Sequence, residues 1–190
     1  MMPGEVLFFD AGVRCGFAHG APRTPPASGV VILKRPSEPA AVAFSNLIAF
    51  LVVRFDAGKP LLVAKEAPFN FAAFAARTTS PEAVRITYGL HAIIEGICGR
   101  YAIPCHDIAD STVRLHFTGR GRAGDRNATK AMVVRRCHQL GYMDRGNADN
   151  DQADALAGWD YSVAHLARKA PRELVLFPPA ARARPKRRRA

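Results

Sequence analysis

Leu61-Leu62-Val63-Ala64-Lys65-Glu66 is a run of four apolar residues ending in two charges. A short apolar run without polar alternation is the pattern of a strand buried on both faces, as central parallel strands are. Helical patterns bracket it. Upstream, Val42, Leu47, Phe50, Leu51 and Phe55 recur at near-helical spacing between Ala40 and Phe55, with Gly58 as the stop. Downstream, Ser80-Pro81 offers a cap and a first-turn proline to a helix whose apolar face runs through Leu90, Ile93, Ile94, Ile97 and Tyr101. A strand with a helix on each side is joined to its neighbours by crossovers, so it is predicted to be parallel to them.

Working outward, Glu5 to Asp10 reads as a strand, followed by strands over Arg14 to His19 and Gly29 to Lys34, with the Pro-rich segment Ala21 to Pro26 as a turn. Links this short predict an antiparallel meander. Ala102 to Ile108 returns as a strand. The later chain predicts helices over Ser111 to Phe117, over Asn127 to Leu140, and from Asp151 onward, the last capped by Asp149 or Asn150. The fold class is therefore α/β: a mixed five-stranded sheet, part antiparallel meander and part parallel, flanked by helices. Residues 1–170 form one predicted domain. Residues 171–190 lose periodicity and read as a basic, disordered tail.

The 190 residues carry a net charge of +11. Six of those charges lie between Ala180 and Ala190, which holds no acid, so the remaining chain stays basic at +5. That balance favours a polyanionic partner. Cys15, Cys98, Cys105 and Cys137 are scattered without paired spacing and read as reduced thiols. No charged-then-apolar leader is seen, and the apolar run from Ala40 to Val53 reads as too short to span a bilayer. The expectation is a cytoplasmic protein with no membrane partner.

In sheets of this kind ligands gather at the carboxyl ends of the parallel strands. Asp10 and Glu66 each end such a strand, and Asp151 and Asp154 sit one turn apart in the last helix. Carboxylates brought together repel, by roughly 1 kcal/mol per pair at about 4 Å in water and about 4 kcal/mol at an effective dielectric of 20. Divalent cations relieve this. An oxygen-only set favours Mg²⁺ or Mn²⁺, and two such ions activate a water and stabilise a leaving oxygen. With no His or Cys beside these acids, zinc is disfavoured. An acidic pocket in a basic body suits phosphodiester hydrolysis.

The order LFFDAG with Asp10, AKEAPF with Glu66, and DQADALA with Asp151 and Asp154 resembles the RuvC family of Holliday junction resolvases, within the ribonuclease H-like superfamily. Ser111 to Arg114, Gly119 to Gly121 and Ala128 to Lys130 resemble that family's basic helix, glycine loop and lysine-bearing helix. The resemblance implies a homodimeric endonuclease, bacterial or phage-encoded, that resolves four-way DNA junctions. It would make paired nicks leaving 5′-phosphate and 3′-hydroxyl ends. It implies two Mg²⁺ or Mn²⁺ ions held by Asp10, Glu66, Asp151 and Asp154. Lys130 would act beside them as a catalytic cation, and Phe69, Arg114, Arg120, Arg122 and Lys130 would contact DNA. Ala11 stands where the family usually has proline, and Lys65 where it has an apolar residue.

Other readings stay open beside this one. Asp149 rivals Asp151 as a ligand, with helix capping as its simpler role. Phe69 either stacks on bases or packs with Phe71 and Phe74. Trp159 reads as core. Gly119 to Gly124 fits a dinucleotide-loop pattern literally, but it lies far from the first strand and carries two arginines, so a loop on a phosphate backbone is preferred. A different ribonuclease H-like nuclease, acting on flaps, other branched DNA or RNA–DNA hybrids, is the alternative function. An actin-like ATPase needs a longer chain, and a junction-binding protein without catalysis would not need all four acids.

Overall fold

The computed structural model describes residues 4–68, 80–121 and 124–167. Five strands form one sheet: β1 (Val6–Asp10), β2 (Arg14–Gly20), β3 (Ala27–Ile32), β4 (Leu62–Glu66) and β5 (Cys105–Ile108), in the order β3-β2-β1-β4-β5. β1 to β3 are antiparallel, while β4 pairs parallel with β1 on one side and β5 on the other. The helices are α1 (Ala40–Ala57), α2 (Pro81–Arg100), α3 (Asp110–Thr118), α4 (Arg126–Leu140) and α5 (Asn150–His165). The predicted mixed sheet is present.

Two strands, β3 and β5, differ from expectation by two residues or more. β3 starts and ends two residues early, at Ala27–Ile32 rather than Gly29 to Lys34, because its register is set by pairing with Arg14 to His19. β5 begins at Cys105 rather than Ala102. Ala102 sits at φ 53°, inside a turn closed by its own N–H to Gly99 O, and extended pairing follows only after Pro104.

Period-two alternation splits the sheet's side chains between two cores. Leu7, Phe9 and Val63 face Leu47, Leu51 and Phe55 of α1 and Leu90 and Ile94 of α2. Val6, Phe8, Leu62 and Ala64 face α3, α4 and α5. The helix runs on past Val53 to Ala57, so α1 is long and apolar enough to cross a membrane by length and composition alone, where the shorter run Ala40 to Val53 was expected to be too short. In the fold it lays Ala40, Ala43, Leu47, Leu51 and Phe55 on the sheet.

Helix α5 packs tightly on the strands through small buried residues, Ala153, Ala155, Ala157 and Gly158. A Cβ at Gly158 would stand 2.2 Å from the Phe8 ring, and one at Gly16 2.0 Å from the Asp151 carbonyl oxygen. Both glycines permit an approach that alanine would block. Trp159 is core, as expected; it is 3% exposed, and its Nε1 donates to Gly20 O at 3.3 Å.

Candidate active site

Phe9 and Lys65 are partners in the parallel ladder, so the residues after them, Asp10 and Glu66, emerge side by side at the strand ends. Their carboxyls share a hydrogen bond, with Asp10 the stronger holder of the proton. From the facing layer α5 contributes Asp154 and Asp151, α3 contributes Arg114, and α4 contributes Lys130. All six line one cleft of about 600 Å³. Residues from five elements, spread over 145 positions of sequence, thus converge as expected.

The acids are crowded. Burial first, then the Glu66 charge, holds the Asp10 carboxyl well above the usual range. Burial and Asp110 push Glu66 up to about 7; burial and Asp10 push Asp154 up to about 7. Lys130 and Arg114 oppose these shifts, Lys130 at Asp10 and Asp154, Arg114 at Glu66 and Asp154. The neutral forms are favoured because several carboxylates share one poorly hydrated space without a countercharge large enough to hold them all.

Of the rivals at the α5 N-terminus, Asp149 is the cap: its Oδ1 accepts from the N–H groups of Asp151 and Gln152 at 3.0 and 3.1 Å. Asp151 lines the cleft. Arg120 does not; it lies exposed in the loop after α3, where Gly119 takes φ 75°, and Gly121 of the same loop reaches the cleft wall. Phe69 and Arg122 lie outside the described residues.

Among the cleft residues not singled out from sequence, two are ion-paired with candidate residues. Asp110, just past β5, pairs with Arg114 at 2.6 Å and is a fifth acid of the cleft. Its place, one strand over from Glu66 in the same sheet edge, is a signal that strand-end reasoning applied to β5 would have caught. Arg14, opening β2, binds Asp149 and Asp151 at 2.7 and 2.8 Å. Nothing in its local sequence marks it.

A crossover junction endodeoxyribonuclease RuvC from Anaeromyxobacter dehalogenans is 30% identical over 171 residues, covering 87% of this chain and 82% of that protein. The chain belongs to the RuvC family. A RuvC from another Anaeromyxobacter strain matches to the same extent. The solved structure of Thermus thermophilus RuvC superimposes with a TM-score of 0.61 at 20% identity, over 87% of this chain and 96% of that one. The same RuvC in complex with a Holliday junction substrate gives 0.63 at 20% identity, over 84% and 93%. These likenesses show the shared ribonuclease H-like fold. No protein-family model matches the chain.

The RuvC-type cleft fits a hard divalent ion by its chemistry. Its potential donors are carboxylate oxygens, and their raised proton affinities report a repulsion that a dication would remove. Among the described residues, no three His, Cys, Asp or Glu side chains stand close enough to grip an ion without moving. Asp151 is engaged by Arg14, and Asp10 and Glu66 by each other.

Proposed function

We propose that this RuvC-family chain is a metal-dependent endonuclease that resolves four-way DNA junctions, nicking paired strands to leave 5′-phosphate and 3′-hydroxyl ends. The observation that supports it best is the convergence of Asp10, Glu66, Asp151 and Asp154 with Lys130 and Arg114 in one cleft. Relatives of matching length are named as crossover junction endodeoxyribonucleases, and a structural neighbour is held with a Holliday junction substrate.

In this reading the four acids hold two Mg²⁺ or Mn²⁺ ions. When bound, such ions supply Lewis-acid stabilisation of the phosphate charge and make an attacking water acidic. The chain's own residues do the rest. Lys130 and Arg114 place positive charge against the scissile phosphate. Arg114 is suited to this: Asp110 steadies its Nη1 and the guanidinium lines the cleft beside the acids. The exposed Arg120, with Arg122 and Phe69, would extend the contact to flanking DNA. Two such active sites in a homodimer would deliver paired nicks, and the setting is the bacterial cytoplasm or a phage-infected cell.

The test is incubation of the purified chain with a synthetic four-way junction, with Mg²⁺ or with chelator. Paired, symmetrically placed nicks that require the metal are expected. Preference for a flap or an RNA–DNA hybrid over the junction would replace this substrate with another of the same superfamily, and sedimentation gives the dimer directly.

A further inference from the structure

Arg14 opens β2 and reaches across the start of α5. Its Nη2 donates to Asp149 Oδ2 at 2.7 Å and its Nε to Asp151 Oδ2 at 2.8 Å. Capping explains why Asp149 is there, since its other oxygen holds two backbone N–H groups. Capping does not explain Asp151, which faces the cleft and whose oxygen is taken by the guanidinium. Arg14 is 51% exposed and lines the cleft as well, so it stands between the acids and the solvent from which DNA arrives.

We propose that Arg14 is an exchangeable counter-cation: it holds Asp151 in the metal-free protein, yields it to an incoming divalent ion, and passes its guanidinium to a DNA phosphate. This rests on the reading of Asp151 as a metal ligand. The backbone supports motion of the side chain alone, because Gly16 lies against the Asp151 carbonyl and keeps β2 and α5 together. An ion pair this exposed is weak, whereas a divalent ion gains several oxygen ligands at once. Exchange therefore runs toward the metal, and the engaged arginine lowers apparent metal affinity by the fraction of chains it occupies. Once released, the planar fork matches a phosphate as well as it matched two carboxylates.

Calorimetric titration of the full chain with Mn²⁺, without DNA, tests the first half. Arg14→Ala is expected to tighten Mn²⁺ binding roughly three- to tenfold. Arg126→Ala, which removes the same charge from another residue of the cleft wall, is expected to tighten it less than about twofold. Arg14→Lys keeps the charge without the fork and should fall between; it also carries the test if the alanine variant melts early in chelator. The second half is read from junction binding across a salt series. With Ca²⁺, the log–log slope for Arg14→Ala should be shallower than wild type by about one phosphate contact, and with chelator the two slopes should coincide. Unchanged or weakened Mn²⁺ binding in Arg14→Ala, tightening matched by Arg126→Ala, or equal slopes in Ca²⁺ would overturn the exchange. A wild-type chain that binds no Mn²⁺ would instead remove the metal-dependent reading beneath it.

Discussion

The carboxyl groups of Asp10 and Glu66 meet at the ends of two adjacent parallel strands and share one hydrogen bond. Both lie where burial favours the neutral acid, so the pair is held under tension in the absence of a cation. Asp10→Asn removes from that pair the carboxyl that must take up a proton on folding, and one oxygen donor from the proposed metal set. Nicking of a four-way junction should fall by at least about a hundredfold, while junction binding in a gel-shift assay stays near wild type. The same substitution should raise the melting temperature of the metal-free chain. Intact turnover would sink the assignment of Asp10.

Stability should depend on pH in a direction opposite to that of most salt-bridged proteins. Glu66 and Asp154 have proton affinities raised to about 7 in the fold, so the folded chain binds more protons than the unfolded one between the ordinary carboxylate range and about pH 7. The metal-free chain is thus most stable below that window and loses stability as pH rises through it, by several degrees in melting temperature. Mg²⁺ should restore most at pH 8 and least at pH 5. Thermal melts at both values, with and without Mg²⁺, measure this.

Gly16→Ala should be costly although it adds one methyl group. The new Cβ would meet backbone, the Asp151 carbonyl at 2.0 Å, which cannot rotate away. A loss of about 1–3 kcal/mol in urea unfolding is expected, together with weaker Mn²⁺ binding as the start of α5 is pushed from the sheet. Gly146→Ala, with no atom within 4 Å of its would-be Cβ, is the tolerated comparison.

Lys65 makes an asymmetric prediction. Its Nζ, fully buried, bonds His91 Nδ1 at 3.1 Å, Glu95 at 2.9 Å and Asp107, while the two acids are about half exposed. Burial and the Lys65 charge push His91 down to about 4, so the ring stays neutral and accepts the proton. Lys65→Met leaves acids that water can reach, and should change stability by no more than about 2 kcal/mol. Removing both acids, as Glu95→Gln with Asp107→Asn, strands a buried ammonium and should cost about 3–5 kcal/mol. Urea unfolding of the two variants decides the order.

The strand–helix alternation and the strand-end acids were legible because both are local: an apolar run has one period, and a carboxylate after it lies at the sheet edge. Asp154 followed from helical spacing to Asp151. Arg14 was not legible, since its partners lie 135 and 137 residues away and no local pattern announces a guanidinium turned across a helix start. Lys65 stood out in the sequence as a charge in an apolar strand, yet its solution, three polar partners drawn from α2 and β5, required the packed faces to be known. The edges of β3 and β5 were set by pairing register and by the turn at Ala102, neither of which periodicity reports.

Because Gly158 leaves no gap above Phe8, the spacing between α5 and β1 is fixed by atoms in contact and not by any connecting loop. Lengthening the Pro22–Pro26 turn or extending the C-terminus would therefore leave Asp154 and Asp10 where they are. The molecule can acquire new peripheral segments, and through them new preferences among DNA shapes, without retuning the spacing of the proposed metal site.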